Sequence, residues 1–211
     1  MTDAESWAGL TVSTVYEASG RSGLLDPEIF RVVPSTAAVG RARTVLCEQD
    51  DNLGVHIAID DLHAGEILVA TMPEPRPVAL IGEVLARFAK ARGAAGLLID
   101  AAIRDFDELV ILGLPVWSRW ITSSGAAKRF AGKHNVPVSV AGQTINPGEM
   151  LILDGDGILR LRAEDEADAL LAAKKRLSQE EEMMAELDEG KSTLDLMDLR
   201  DLVERTELEE T

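Results

Sequence analysis

Apolar residues follow two different spacings along this chain, and together they predict alternating helices and strands. In residues 7–19, in residues 55–61 and between Gly82 and Gly93, apolar positions recur as they do on one face of a helix. Short runs rich in Val, Ile, Leu and Ala are typical of strands and fall at residues 37–48, 67–71, 94–99, 136–141, 150–153 and 158–161. Glycine- and proline-rich turns separate several closely spaced strands. The sequence therefore predicts an α/β fold with a mixed sheet and not a regular doubly wound one.

The C-terminal part of the chain has a different pattern. Between residues 163 and 189 apolar residues recur at helical spacing among charged ones, Gly190 interrupts the pattern, and a short amphipathic segment follows at 194–203. We therefore expect residues 1–162 to form the α/β domain and residues 163–211 to form a helical tail. The apolar stripe of this tail is expected to pack on the body of the domain or on a neighbouring subunit.

Composition and charge exclude some classes of function. The 211 residues carry 37 Asp and Glu against 21 Lys and Arg, a net charge of −16, which disfavours nucleic-acid binding because phosphate recognition needs basic surface. No stretch approaches the ~20 apolar residues of a membrane span, and the first residues lack the basic and apolar regions of a signal peptide. We expect a soluble cytoplasmic protein with no nucleic-acid or membrane partner, in which the single cysteine, Cys47, is a small buried residue.

Residues 82–109 hold the strongest signal for chemistry. A helix that begins at Gly82 and Glu83 presents free backbone N–H groups and the positive end of its dipole, which favour an anion. A buried strand at residues 94–99 follows, and beyond it Arg104 can grip a carboxylate while Asp105 can ligate a divalent cation. The twenty residues from 84 to 103 span about one helix and one returning strand, so both ends can meet in one cleft. The proline-rich loop at residues 72–77 is expected to form one wall of it.

Taken alone, Arg104 and Asp105 are better explained as an ordinary surface or turn ion pair, but the surrounding sequence favours a functional role. The blocks TVYEASGRSGLL, HAGEILVA, GEVLARFAKARGAAGLLIDAAIRDFDEL, LPVWSRWITSSGA, VPVSVAG and NPGEMLILDGDGI resemble the RraA-like family, in the order the family has them. This family contains 4-hydroxy-4-methyl-2-oxoglutarate / 4-carboxy-4-hydroxy-2-oxoadipate aldolases and protein regulators of ribonuclease E. The resemblance implies a compact αββα sandwich related to swivelling β/β/α domains, assembled as a homotrimer or homohexamer.

The resemblance also implies roles for residues of the central segment. Asp105 matches the carboxylate that holds Mg²⁺ or Mn²⁺, and Arg104 matches the arginine that binds the carboxylate and keto end of pyruvate. The residues that match the backbone amides receiving that carboxylate are Gly82, Glu83, Val84 and Leu85. Glu83 stands where the aldolases usually have Asp, so it is expected to act as a partner of the metal-bound water or as an acid/base group.

Three further residues are candidates through the same resemblance. Asn52 matches a substrate-contacting asparagine, and His56 lies one helical turn further on, where a structural role and substrate contact are equally supported. Glu180 matches a C-terminal glutamate that reaches the site of a neighbouring subunit, although the three consecutive glutamates at 180–182 leave the register open. The substrate is expected to be a small 2-oxo acid.

Cleavage next to a 2-oxo acid must stabilise a pyruvate enolate, by a lysine Schiff base or by a Lewis-acid metal. The lysines of this chain lie in polar or surface-helix contexts, so we favour a metal-dependent class II pyruvate aldolase that also decarboxylates oxaloacetate. The alternative is a non-enzymatic regulator that binds a ribonuclease E-like partner. A methyltransferase would need a glycine-rich nucleotide loop after a first strand, which the sequence lacks. The sequence leaves open the choice of Mg²⁺ or Mn²⁺, of trimer or hexamer, and of hydroxy-oxo acid.

Overall fold

The computed structural model describes residues 3–209, and side chains up to residue 205. The helices are a short 3-10 helix at Ala4–Trp7, α1 (Val12–Ala18), α2 (Leu53–Asp60), α3 (Glu83–Ala91), α4 (Phe106–Leu112), α5 (Glu166–Asp188), α6 (Thr193–Leu196) and α7 (Arg200–Glu209). The strands are β1 (Phe30–Arg31), β2 (Ala38–Leu46), β3 (Glu66–Thr71), β4 (Ala79–Ile81), β5 (Gly96–Ile103), β6 (Val116–Ile121), β7 (Lys133–His134), β8 (Val138–Val140), β9 (Gln143–Ile145), β10 (Met150–Leu153) and β11 (Ile158–Leu161).

Within residues 3–209 nine of these strands form one mixed sheet. Its main order is β1-β6-β5-β3-β2-β10-β11, with β4 paired to β5 and β7 paired to β2. Strands β2, β3, β5 and β6 run parallel, as does β4 beside β5, whereas β1, β7, β10 and β11 pair antiparallel to their neighbours. The predicted α/β class with a mixed sheet is therefore confirmed. Parallel strands bring their carboxyl ends to one edge, where ligands of open α/β sheets bind.

The central strand β5 separates two of the hydrophobic cores. Leu97 and Ile99 pack on one side with α2, α3 and α4, whereas Leu98 packs on the other side with the small β8–β9 sheet. A third core lies between β10–β11 and the helices α1 and α5, where Ala173 of α5 is fully buried. Helix α3 is thus fixed against β5 by its buried face, and its first residues lie at the carboxyl edge of the sheet.

Strand β5 is longer than the sequence predicted. The prediction of a strand at residues 94–99 that stops before Asp100 was wrong, because β5 runs from Gly96 to Ile103 with all of its residues buried. Asp100 is 2% exposed, and its carboxylate accepts a hydrogen bond from Nε of Arg119 on β6 at 2.6 Å. The ion pair allows a charged residue inside a buried strand. The extra residues carry the chain to the edge where Arg104 and Asp105 follow.

The single helix predicted at residues 7–19 was also wrong in its extent. Gly9 has a left-handed backbone with φ of 81°, which ends the 3-10 helix and separates it from α1. Helix α1 then begins at Val12, where the hydroxyl of Thr11 accepts a hydrogen bond from the amide of Thr14. Such a side-chain cap satisfies one of the unpaired N–H groups of the first turn.

Helix α5 lies against α1, with Ala169 and Ala173 in the contact and Glu166 paired with Arg41 of β2. The division into a domain at residues 1–162 and a tail at 163–211 stays a prediction. Among the described residues, none of the helices combines the length and the apolar character needed to cross a membrane.

Candidate functional site

The start of α3 and the turn after β5 are in contact. Gly82, the N-cap of α3, has no room for a side chain, because a Cβ atom there would lie 2.4 Å from Oδ2 of Asp105 and 2.9 Å from Cγ of Arg104. The backbone of Gly82 has φ of −142°, so the glycine is required by this close approach and not by an unusual backbone conformation. The structure thus brings the two ends of the helix–strand unit together.

Asp105 connects the two helices at this point. Its backbone is left-handed (φ 58°, ψ 49°) at the N-cap of α4, yet its side chain makes no capping hydrogen bond to α4. Instead Oδ2 accepts a hydrogen bond from the backbone amide of Glu83 at 2.9 Å, and Nε of Arg104 lies 3.6 Å from the same oxygen. The αL conformation directs the carboxylate of Asp105 to the N-terminus of α3.

A pocket of about 170 Å³ opens beside this contact. Its lining includes Gly82, Val84, Leu85 and Arg104. Since Glu83 donates its amide to Asp105, the amides of Val84 and Leu85 are the first-turn donors that helix geometry leaves without an acceptor inside α3. These donors, the helix dipole and Arg104 favour an anion, and the pocket is smaller than the ~300–1,000 Å³ typical of pockets for drug-sized ligands, so it suits a small acid.

Two polar side chains from the start of α2 form another wall of the pocket. Asn52 donates a hydrogen bond from Nδ2 to the carbonyl of Leu80 at 2.8 Å, but its buried Oδ1 has no hydrogen-bond partner among the described residues. The same holds for the buried Nε2 of His56 within this part of the chain, and burial together with the positive charge of Lys128 lowers the pKa of His56. His56 is therefore neutral near pH 7. Buried polar atoms without partners are uncommon, and both of these belong to residues that line the pocket.

The third wall is a loop that sequence reasoning did not assign to the site. This loop, residues 124–129, supplies Gly125, Ala126 and Lys128 to the pocket lining. Lys128 has no carboxylate partner within the described part of the chain, and a Cβ on Gly125 would lie 3.3 Å from Nη1 of Arg104. The small residues in the block SSGAA are the only signal in the sequence that pointed here.

Two carboxylates predicted to belong to the site, those of Glu83 and Glu180, do not line the pocket of their own chain. Oε1 of Glu83 accepts a hydrogen bond from Nε of Arg87 at 2.7 Å, one turn along α3. Glu180 lies on α5, where it pairs with Arg176 at 2.7 Å and accepts a hydrogen bond from the hydroxyl of Thr14 at 3.2 Å. Glu180 is expected to act in the site of a neighbouring copy, and its position in its own chain does not test that role, which stays a prediction.

The expectation that the loop at residues 72–77 walls the cleft was wrong. Strand β4 comes between that loop and α3, and Ala79, Leu80 and Ile81 line the pocket instead. The loop borders a separate crevice together with Asp100 and Arg119.

The residues present can be compared with the needs of a divalent cation. Within the described residues, no three His, Cys, Asp or Glu side chains are grouped as a metal site would require. Asp105 remains as one carboxylate whose side chain is 37% exposed and whose Oδ1 has no hydrogen-bond partner among these residues. A single carboxylate fits Mg²⁺ or Mn²⁺ with most ligands from water or substrate, and it does not fit a structural zinc site.

In this mixed α/β fold a helix N-terminus, an arginine and a carboxylate surround a small pocket, and this arrangement is chemically suited to a small organic acid. The chain belongs to the RraA-like family, since the family model described as Aldolase/RraA matches residues 9–160. A relative from Halalkalibacterium halodurans is 34% identical over 173 residues, which cover 81% of this chain and 82% of the relative. The name of that relative gives 4-hydroxy-4-methyl-2-oxoglutarate aldolase as its supposed activity.

Two solved structures have the same fold. An uncharacterized protein from Pseudomonas syringae pv. tomato matches with a TM-score of 0.80 and 27% identity, over 90% of this chain and 93% of its own. The RNA-processing inhibitor RraA from Thermus thermophilus matches with a TM-score of 0.66 and 28% identity, over 71% of this chain and 90% of its own. The RraA-like fold expected from the sequence is therefore confirmed.

Proposed function

We propose that the protein is a divalent-metal-dependent class II pyruvate aldolase. Its substrate is 4-hydroxy-4-methyl-2-oxoglutarate or 4-carboxy-4-hydroxy-2-oxoadipate, which it cleaves to pyruvate and a second 2-oxo acid. The observation that supports this function best is the contact between Asp105 and the first amide of α3, beside Arg104. It supports the proposal because a carboxylate able to ligate a cation lies beside donors for an anion, as a chelating 2-oxo acid requires. The aldolase name of the relative from Halalkalibacterium halodurans agrees with it.

In this proposal the carboxylate at C1 of the substrate binds the amides of Val84 and Leu85 and the guanidinium of Arg104. A divalent cation held by Asp105 would supply a Lewis acid beside the 2-oxo group. Arg104 also faces the 2-oxo oxygen, where negative charge develops during cleavage, and one such donor is often worth ~3 kcal/mol in the transition state.

Cleavage breaks the bond between C3 and C4. The proton of the 4-hydroxyl leaves, C4 becomes the carbonyl carbon of the second product, and the electron pair of the broken bond moves into the enolate of pyruvate. The carboxylate of Glu83 lies outside the pocket lining and pairs with Arg87, so in this proposal it accepts the proton through a bridging water. A proton delivered to C3 then completes pyruvate. Oxaloacetate loses CO₂ through the same enolate, so its decarboxylation is a side activity.

We also propose that the protein acts in the cytoplasm as a homotrimer or homohexamer, with Glu180 of a neighbouring copy close to the pocket. The proposal is supported by the position of Glu180 on the outer helix α5, apart from the pocket of its own chain. A variant that is monomeric should then be inactive even with Arg104 and Asp105 intact. Full activity in a monomer on size-exclusion chromatography would contradict this assembly.

A second candidate function is regulation without catalysis, by binding a ribonuclease E-like partner. The likeness to the RNA-processing inhibitor RraA from Thermus thermophilus favours it. The two functions differ in their need for Asp105, because a regulator does not require a metal carboxylate.

The experiment that tests the aldolase measures pyruvate release from 4-hydroxy-4-methyl-2-oxoglutarate, coupled to lactate dehydrogenase. It compares Mg²⁺, Mn²⁺ and EDTA for the wild type, Asp105→Ala and the matched control Asp107→Ala, which removes an exposed carboxylate two residues away. We expect turnover with metal, none with EDTA or Asp105→Ala, and wild-type turnover for Asp107→Ala. Absence of turnover on this substrate, on its carboxymethyl analogue and on oxaloacetate would favour the regulator, to be followed by a pull-down with a ribonuclease E-like protein.

A further inference from the structure

Asp51 makes two hydrogen bonds that the chemistry described above does not use. Its side chain is 2% exposed and lies directly before Asn52 at the start of α2. Oδ1 accepts a hydrogen bond at 2.9 Å from the amide of Leu53, the first residue of α2. Oδ2 accepts a hydrogen bond from the amide of Arg129 at 2.6 Å, which lies across the pocket in the loop of residues 124–129. One carboxylate therefore holds two separate walls of the pocket.

Backbone hydrogen bonds around Asp51 strengthen the same connection. The amide of Asn52 donates to the carbonyl of Ala127 at 2.9 Å, and the amide of Ala127 donates to the carbonyl of Asp50 at 2.8 Å. Lys128 lies between Ala127 and Arg129, the two residues that this set of bonds fixes. We call these hydrogen bonds of Asp50, Asp51 and Asn52 the Asp51 clamp. The clamp sets the distance between Lys128 on one wall of the pocket and Asn52 and His56 on the other.

The groups that bind the pyruvate half lie elsewhere. Arg104 and Asp105 are fixed by β5 and by the N-terminus of α3, and the described structure gives Asp51 no hydrogen bond or ion pair to either of them. The pocket therefore has a part for the C1 carboxylate and the 2-oxo group, and a part for the rest of the substrate. The bonds of the Asp51 clamp attach Ala127 and Arg129 in the second part. The start of the loop, beside Arg104, is instead held to β4 by the amide of Ala79, which donates to the carbonyl of Ser124 at 2.7 Å.

We propose that Asp51 is a positioning residue that fixes where the substrate beyond C3 binds, by holding the loop of residues 124–129 against the start of α2. This inference rests on the proposed aldolase function. Because Asp51 acts through Asn52, His56 and Lys128, its loss should weaken the binding of the complete substrate. It should leave enolisation of pyruvate intact, since that step needs only the first part of the pocket.

The test uses Asp51→Asn, which keeps the shape of the side chain but replaces one acceptor oxygen by an NH₂ donor. One of the amides of Leu53 and Arg129 then loses its acceptor. The matched control is Asp154→Asn, because Asp154 has the same arrangement away from the pocket. It accepts the amide two residues on, that of Asp156, and a distant amide, that of Val12, both at 2.8 Å.

Two reactions are measured with Mg²⁺ for each protein: cleavage of 4-hydroxy-4-methyl-2-oxoglutarate, and exchange of the methyl protons of pyruvate with D₂O followed by NMR. For Asp51→Asn we expect the KM for cleavage to rise about tenfold, with kcat and the exchange rate within about twofold of wild type. Asp154→Asn should keep both reactions within about twofold. Equal losses in both reactions for Asp51→Asn, no loss in either, or the same loss in Asp154→Asn would overturn the proposal.

An inactive wild type and an unfolded variant would also be informative. A wild-type protein that neither cleaves the substrate nor exchanges the protons of pyruvate would refute the aldolase function, and the role of Asp51 would fall with it. If Asp51→Asn does not fold, hydrogen exchange of the wild-type backbone decides instead. We expect the amides of Ala127 and Arg129 to exchange much more slowly than the exposed amide of Ser123, and equal rates would overturn the clamp.

Discussion

The carboxylate of Asp105 accepts a hydrogen bond from the backbone amide of Glu83 at 2.9 Å, so a residue two positions beyond β5 binds the first amide of the helix that precedes this strand. The helix–strand unit is thereby closed at both ends. A residue proposed to ligate a cation is also part of the fold, and changes around it are expected to affect both stability and activity.

Substitution of Gly82 by alanine should abolish activity. The new methyl group would meet Oδ2 of Asp105 at 2.4 Å, and Arg104 or Asp105 would have to move. We expect kcat/KM for pyruvate release to fall at least about a hundredfold, since misplacement by about 1 Å is that costly. Gly155→Ala is the control, because its methyl group would meet only the guanidinium end of Arg31 at 3.1 Å. Activity of Gly82→Ala equal to that of Gly155→Ala would contradict the close approach.

Lys128 should recognise a second negative charge on the substrate. It lines the pocket with Arg104 and has no acidic partner in the described part of the chain, so it is available for a distal carboxylate. For Lys128→Met we expect kcat/KM for 4-hydroxy-4-methyl-2-oxoglutarate to fall about tenfold or more, because a hydrogen bond to a charged group is worth about 1.5–3 kcal/mol. The value for 4-hydroxy-2-oxopentanoate, which lacks that carboxylate, should stay unchanged.

The control for this comparison is Lys133→Met, which removes an exposed lysine on β7. It should leave both substrates unaffected. A loss of the same size for the dicarboxylate and the monocarboxylate in Lys128→Met would show that Lys128 does not distinguish them.

The pH dependence of stability should contain a contribution from His56. Burial and the charge of Lys128 lower its pKa in the folded chain, below the ordinary value of 6.5. The unfolded chain therefore binds more protons between these two values, and the free energy of unfolding falls as the pH drops from 6.5 towards the folded pKa. We expect His56→Gln to flatten this part of the curve measured by urea unfolding. In Lys128→Met the pKa of His56, followed by NMR of the ring protons, should rise.

Glu180 should act on activity rather than on folding. In its own chain it contacts Arg176 and Thr14, and its proposed target is the pocket of a neighbouring copy. We expect Glu180→Gln to keep the assembled size on chromatography and to lower kcat by at least about tenfold, as loss of an acid/base group does. Glu181→Gln and Glu182→Gln serve as neighbouring controls. A larger loss in either of them would assign the role to another register of this helix.

Much of the site was predictable because it depends on one continuous segment. The helix from Gly82 and the strand that returns to Arg104 are both local patterns, and their lengths bring the two ends together. Asn52 and His56 were found through the resemblance alone, and the structure places both in the pocket. Periodicity along the sequence could not predict which segments far apart in the chain lie next to each other.

Two positions illustrate this. The sequence pattern ended the central strand before Asp100, because a carboxylate inside a strand is expected only when its partner is known, and Arg119 lies nineteen residues away. Lys128 is exposed, as expected of a lysine in a polar context, but its place in the pocket lining depends on the bridge between Asp51 and Ala127, which no local pattern records. Both depend on contacts between distant residues.

The double attachment of Asp105 has a consequence for how this pocket can change. A neutral residue at position 105 would remove a negative charge, release the amide of Glu83 and leave Arg104 without its neighbouring carboxylate. Loss of the charge would remove the proposed cation ligand, whereas the released amide of Glu83 would add a donor for an anion. On the proposed function, one substitution would therefore separate binding of the carboxylate of the acid, which the amides and Arg104 retain, from activation of its 2-oxo group, which the cation supplies.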